Sequence, residues 1–165
     1  MQSLFIGGIK SGKSALAEHH TLLHTTTKPY YLATTEFLDD EIKQKIILHK
    51  RQRQDRFITI EESLALYETL LSHQDAPVLV ECVSMWLNNM LHHNKSHQEI
   101  LEQIDQITTL QSDITFVLND VSNSVVSEHK LVRDFVNLSG AIGQKLAAMC
   151  DEVYHITAGI KVQIK

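Results

Sequence analysis

Residues 4–18 read LFIGGIKSGKSALAE, and the eight residues from Gly7 to Ser14 decide how the rest of the chain is read. They fit G-x-x-x-x-G-K-[ST], with Gly7, Gly12, Lys13 and Ser14 at the fixed positions. A short apolar run precedes the motif, and a stretch with helical spacing of Leu16, Ala17 and Leu23 follows it. That strand–loop–helix context separates a phosphate-binding loop from a chance glycine-rich turn. A chance match in a chain of this size arises about 1% of the time at average residue frequencies, so the motif is treated as a nucleotide site. In such a loop, glycines let successive backbone N–H groups converge on phosphate oxygens. The N-terminus of the following helix adds partial positive charge. Lys13 is expected to bridge the β- and γ-phosphates, and Ser14 to ligate magnesium.

Such a site also needs an acid beside the metal. The run PVLVEC, residues 77–82, places Glu81 directly after Val78-Leu79-Val80. An acid at the carboxyl end of a parallel strand lies on the ligand side of the sheet. The bland alternative is that Glu81 caps a helix starting near Ser84.

Working outward, five apolar runs read as strands: 3–6, 30–33, 57–60, 78–80 and 114–118. The near-continuous apolarity of the first and the last two suits strands buried on both faces of a parallel sheet. Helical patterns cover 14–23, 39–53, 63–71, 84–110 with a break near Asn94, and 130–149 with weak points at Gly140 and Gly143. The end, EVYHITAGIKVQIK, alternates around Ala158-Gly159 and reads as a β-hairpin closing a sheet edge. Strands alternating with helices give an α/β domain with a mainly parallel sheet.

The 165-residue chain is the size of one domain. Lys and Arg number 15 against 20 Asp and Glu, for a net charge of −5, which argues against a general nucleic-acid binder. No apolar run approaches the roughly 20 residues that span a bilayer. The start, MQSLFIGG, lacks the basic and long apolar segments of a signal peptide. Cys82 and Cys150 do not form a disulfide framework. A reduced, cytoplasmic protein is expected.

Against the acidic background, residues 43–56 carry Lys43, Lys45, Lys50, Arg51, Arg53 and Arg56 with one acid, Asp55. A solvated helix face explains most charge runs, whereas a triphosphate site explains this one with chemistry. His49 lies within the patch. Neighbouring cations disfavour the imidazolium, so a neutral, nucleophilic imidazole is expected near pH 7. His92, His93 and His97 suggest a metal site by spacing, but no acidic or cysteine partner is evident. His19 and His20 read as surface or packing residues.

The strings GGIKSGKSALAE, YLATTEFLDDEIKQKIILHKRQR, TIEESLAL, VLVECVSMWLNNML and LAAMCDEVYHITAGIKVQIK occur in this order. Together they resemble the bifunctional adenosylcobinamide kinase / adenosylcobinamide-phosphate guanylyltransferase family of cobalamin biosynthesis, from Leu4 to Lys165. The resemblance implies a three-layer P-loop NTPase fold of the RecA-like kind and a trimeric assembly. It implies phosphorylation of the corrinoid adenosylcobinamide, then transfer of GMP from GTP through a guanylylated histidine that corresponds to His49. Nucleotide contacts are implied at Gly7, Gly8, Ile9, Lys10, Ser11, Gly12, Lys13 and Ser14, at Ala33, Thr34 and Thr35, at Lys50, Arg51, Gln52 and Arg53, and at Glu61 and Glu81. The cofactor and nucleotide set is Mg2+ (on Ser14 and Glu81) with GTP or ATP, and Lys13 and His49 carry the chemistry.

The stretch NDVSNSVVSEH, residues 119–129, departs from the family's N-E-V-G-x-G-I-V-P-E-N, with Asp120 in place of the glutamate. Gly143 stands where the family has asparagine, and RDFVN retains Arg133 without a second arginine. This loop follows a parallel strand, on the side where substrates bind. Three further readings therefore stay open. They are a guanylyltransferase without its kinase step, a non-catalytic nucleotide-binding protein of the same fold, and an unrelated small-molecule P-loop kinase with no need of His49.

Overall fold

The computed structural model describes residues 1–36, 55–121 and 126–165. Seven strands form one sheet: β1 (Gln2–Gly7), β2 (Tyr30–Ala33), β3 (Ile58–Glu61), β4 (Val78–Glu81), β5 (Ile114–Asn119), β6 (Glu152–Thr157) and β7 (Ile160–Gln163). Their order across the sheet is β3-β2-β4-β5-β1-β6-β7. The neighbours from β3 through β6 pair in parallel, and β7 closes the edge antiparallel to β6. The hairpin turn has both Ala158 and Gly159 at positive φ, 52° and 80°. Two successive residues in that region give the turn whose twist matches the flanking strands.

The helices described are α1 (Lys13–Leu23), α2 (Leu66–Ser72), α3 (Val83–His92), α4 (His97–Ile107) and α5 (Lys130–Met149). On one face of the sheet Leu4, Val80, Phe116, Leu118 and Val153 pack against Leu70 of α2, Trp86 and Leu87 of α3, Ile100 and Ile104 of α4, and Ile142 and Leu146 of α5. On the other face Phe5, Leu79, Val117, Tyr154 and Ile156 pack under Ala17 of α1. This is the three-layer α/β arrangement, and strand alternation assigns odd and even residues of β1 and β5 to opposite faces.

The helix expected over 63–71 begins at Leu66. Glu62 Oε1 accepts from the N–H groups of Leu64 (2.8 Å) and Ala65 (2.9 Å), which holds 62–65 in a turn ahead of the helix. The break near Asn94 is real: Asn94 has φ 55°, and Ser96 with Glu99 then forms a reciprocal capping box that starts α4. By contrast, α5 runs through both glycines for 20 residues without interruption. At Gly143 a Cβ would lie 3.2 Å from Leu118 Cδ2, so the small residue lets the helix approach β5 closely. The helix expected over 39–53 lies outside the described residues. Both cysteines are buried free thiols. No helix among the described residues is long and apolar enough to cross a membrane.

Candidate active site at the phosphate loop

The loop between β1 and α1 is folded tightly. Ser11 N–H donates to Gly8 C=O at 3.2 Å, Lys10 sits at φ 59° and Gly12 at φ 94°. Gly12 precedes α1 with no side-chain cap, so the first-turn N–H groups of that helix face the loop without an internal acceptor. Two glycines are demanded by the fold itself, Gly7 by a neighbour and Gly12 by its positive φ. A Cβ at Gly7 would stand 2.4 Å from the Ile156 carbonyl oxygen, and one at Gly12 would stand 3.4 Å from Gly159 Cα. Gly159 N–H also donates to Ser11 C=O at 2.8 Å. The β6–β7 hairpin thus braces the loop along one flank. Gly8 has open space around it, which leaves a cradle beside its backbone.

Lys13 is only 7% exposed, and its Nζ donates to Gly8 C=O at 3.0 Å. Burial pushes its pKa down, and the Glu81 carboxylate pulls it back up. Ser14 Oγ donates to Glu81 Oε1 at 2.7 Å. The helix that follows Glu81 takes Cys82 as its first flanking residue and makes no side-chain cap, so Glu81 does not cap it. Hydroxyl and carboxylate oxygens side by side are the donor set that a hard divalent cation takes. The phosphate requirement is met as well. Ser11 Oγ is buried with no hydrogen-bond partner among the described residues, inside a loop whose backbone N–H groups suit an anion.

The candidates at β2 and β3 fall on the same edge of the sheet. Ala33 is in register with both Glu61 and Glu81, so all three stand at the carboxyl ends of parallel strands. Thr34 is fully buried. Its Oγ1 donates to Cys82 C=O (2.8 Å) and accepts from Cys82 N–H (3.0 Å), while its own carbonyl accepts from Asn89 Nδ2 at 2.6 Å. That clasp fixes the segment after Glu81 to the end of β2. Thr35 is half-buried and Glu61 exposed. His49 and the basic segment Lys50, Arg51, Gln52 and Arg53 lie outside the described residues.

The sequence alone overlooked two features. His93 Nε2 does have an acidic neighbour, Glu36, at 2.9 Å, brought from 57 residues away by the end of β2. No group of three or more metal-ligating side chains exists among the described residues, so the histidines of 92–97 form no metal centre there. Second, Asp120 N–H donates to Gly7 C=O at 2.9 Å, and its carboxylate lies 3.7 Å from His155 Nε2. That ties the divergent 119–129 stretch to the start of the phosphate loop. Arg133 donates to the carbonyls of Ser127 (2.8 Å) and Glu128 (2.7 Å), which spends it on that stretch's own backbone.

Residues 3–164 match the family described as cobinamide kinase / cobinamide phosphate guanyltransferase. The chain belongs to this family. It is 31% identical to the bifunctional adenosylcobalamin biosynthesis protein CobU of Escherichia coli, with both chains covered in full. It is 33% identical to CobU of Salmonella typhimurium over the full length of both, and 32% identical to CobP of Pseudomonas aeruginosa, covering 98% of that protein. Among solved structures, the flagellar accessory protein FlaH of Methanocaldococcus jannaschii superposes with a TM-score of 0.54 at 12% identity, over 99% of this chain and 77% of that one. An ATPase of a bacterial type III secretion system gives 0.54 at 11% identity, over 98% and 56%. These two likenesses bear on the fold alone, and it is the P-loop fold read from Gly7 to Ser14.

Proposed function

We propose that the chain phosphorylates the aminopropanol hydroxyl of adenosylcobinamide and transfers GMP from GTP to the resulting phosphate, with His49 as the carrier of GMP. The observation that supports this most is Ser14 Oγ on Glu81 at 2.7 Å beside buried Lys13, within a chain that matches the family over 3–164. On nucleotide binding, Lys13 exchanges the Gly8 carbonyl for β- and γ-phosphate oxygens. Ser11 and the first-turn N–H groups of α1 take the remaining phosphate oxygens. Ser14 and Glu81 would hold a magnesium ion, which supplies charge neutralisation at the phosphates. A Glu carboxylate that already accepts from Ser14 keeps both oxygens of this pair oriented without the ion.

In the second reaction the neutral imidazole of His49 forms a bond to the α-phosphorus of GTP, and pyrophosphate leaves. The phosphate oxygen of adenosylcobinamide phosphate then attacks the same phosphorus, the P–N bond breaks and His49 is regenerated. Splitting a displacement between two anions into two steps lowers each barrier. Lys50, Arg51 and Arg53, adjacent in sequence, balance the charge that builds on the phosphoryl oxygens. The reaction and its nucleotides fit a cytoplasmic setting. A trimer is supported by the exposed apolar row Ile160, Val162 and Ile164 along the β7 edge, a surface that self-association would cover.

The test is incubation with α-labelled GTP and magnesium, followed by acid and alkali. An acid-labile, alkali-stable label that is present in the wild type and absent in His49→Asn is expected. A label that persists in His49→Asn, or maps to another histidine, overturns the assignment.

A further inference from the structure

Glu81 is the last residue of β4, and the two neighbouring strands hold it unequally. The register of β4 with β5 runs from Val78 to Val80, whereas that with β2 continues to Glu81, opposite Ala33. The residue after Ala33 carries this hold one step further. Thr34 N–H donates to Glu81 C=O at 3.2 Å, and Cys82 N–H donates to Thr34 Oγ1 at 3.0 Å. Both polar groups of the peptide unit between Glu81 and Cys82 thus end on one residue. The same Oγ1 donates on to Cys82 C=O at 2.8 Å. Thr34 is itself pinned. It is fully buried, and its carbonyl accepts from Nδ2 of Asn89, a fully buried residue of α3 that also donates to Ser63 C=O at 3.1 Å. Valine has the same shape, so what threonine adds at this place is the hydroxyl. Removing a buried hydroxyl of this kind is costly, because the Cys82 N–H stays behind without that acceptor.

We propose, on the reading of Ser14 and Glu81 as the magnesium pair, that Thr34 is a positioning residue for that site, aiming the Glu81 carboxylate at Ser14 through the peptide between Glu81 and Cys82. Glu81 Oε1 accepts from Ser14 Oγ at 2.7 Å, and a carboxylate several torsions from its backbone keeps such an aim only while the backbone is fixed. Thr34 touches neither phosphate nor metal in this role. Its side chain is enclosed and its hydrogen bonds end on Cys82, so what it contributes is delivered at the Glu81 oxygens. Partners that orient a metal ligand in this way are worth about 10–100-fold in metal affinity.

The test uses α,β-methylene-GTP, which cannot give up GMP, with no corrinoid present. Its affinity is measured by calorimetry in excess magnesium and in EDTA, and the ratio of the two is the readout. Wild type is compared with Thr34→Val, which removes the hydroxyl, with Thr34→Ser, which keeps it, with Glu81→Ala, and with Thr34→Val and Glu81→Ala combined. Thr34→Val is expected to bind within about 2-fold of wild type in EDTA and to lower the ratio by about 10-fold or more. Thr34→Ser is expected to restore the ratio. In the Glu81→Ala background, Thr34→Val should change it no further. Should Thr34→Val not fold, Thr34→Cys, whose thiol donates and accepts only weakly, carries the same expectations. A wild-type ratio in Thr34→Val, an equal loss in EDTA, or a loss undiminished in the Glu81→Ala background overturns the proposal. If Glu81→Ala keeps the wild-type ratio, the magnesium reading of Glu81 fails and takes the role of Thr34 with it. That result is distinct from failure at Thr34 alone, where Glu81→Ala lowers the ratio and Thr34→Val does not.

Discussion

Acidification should destabilise this protein through one histidine before its carboxylates titrate. His20 on α1 is 4% exposed, and its Nε2 lies 3.0 Å from Ser3 Oγ. The rings of His24, Phe5 and Tyr154 pack around it, with centroids 4.4, 5.2 and 5.6 Å away. Burial, then the neighbouring His24, push its pKa down from 6.5 to about 4, against a smaller upward pull from Glu152. The imidazole is thus neutral at pH 7, and its 3.5 Å approach to Glu152 is not an ion pair there. Because the folded pKa lies below the unfolded one, the unfolded chain binds the extra proton between those values. The contribution to stability is complete above about pH 6.5 and is lost as pH falls towards 4. With those two values, the loss at pH 5 is about 2 kcal/mol, a factor of ~30 in the folding equilibrium. His20→Gln keeps a hydrogen-bonding side chain and removes the titration. Urea unfolding at pH 7.5 and pH 5 should show wild type losing about 2 kcal/mol more than His20→Gln over that interval. Nine other histidines remain in both proteins, so their contributions cancel in the comparison. Equal losses would refute the reasoning and make His20 a charged or water-exposed residue.

Lys13→Ala removes the buried ammonium from the loop, and GTP affinity by calorimetry should fall by at least ~10-fold, with the phosphoryl-transfer rate lost; unchanged titrations would contradict the site. Glu81→Ala leaves Ser14 Oγ without its acceptor at 2.7 Å, and the rate of nucleotide turnover should need a much higher magnesium concentration to saturate. Superimposable magnesium curves would contradict that. Gly7→Ala drives a methyl to 2.4 Å from a backbone oxygen of β6, which cannot rotate away, so urea unfolding should report a loss of about 1–3 kcal/mol together with weakened nucleotide binding.

Most of the sheet was legible because each strand announces itself locally. Tyr30–Ala33, bounded by Pro29, matches residue for residue, and the other four runs agree to within one residue at each end. Helix ends were harder. Leu64, Leu66 and Leu70 have helical spacing, but the start at Leu66 is set by Glu62 taking two backbone N–H groups, which spacing does not encode. The motif from Gly7 to Ser14 and the acid at Glu81 could be read from spacing and type alone. Their contact is between residues 67 positions apart, and it came only with the fold. The same holds for Thr34 on Cys82, Glu36 at His93 and Gly159 on Ser11, each set by strand order rather than by local pattern. Asn119 reads as the first residue of a divergent loop in the sequence, whereas the fold makes it the last residue of β5, between β4 and β1.

The brace of Gly159 on Ser11 bears on when the phosphate loop can form during synthesis. Strand β1 leaves the ribosome before every other strand of the sheet, yet it lies between β5 and β6. The Gly7 and Gly12 flank of its loop is completed by residues 156–159. A growing chain halted before Glu152 carries the whole GGIKSGKS motif but not the wall that shapes it. Nucleotide is therefore expected to add little mass-action stability to the early part of the fold while the sheet is being assembled. Binding competence should arrive with the closing hairpin, so that nucleotide acts as a ligand of the completed sheet and not as a template for building it.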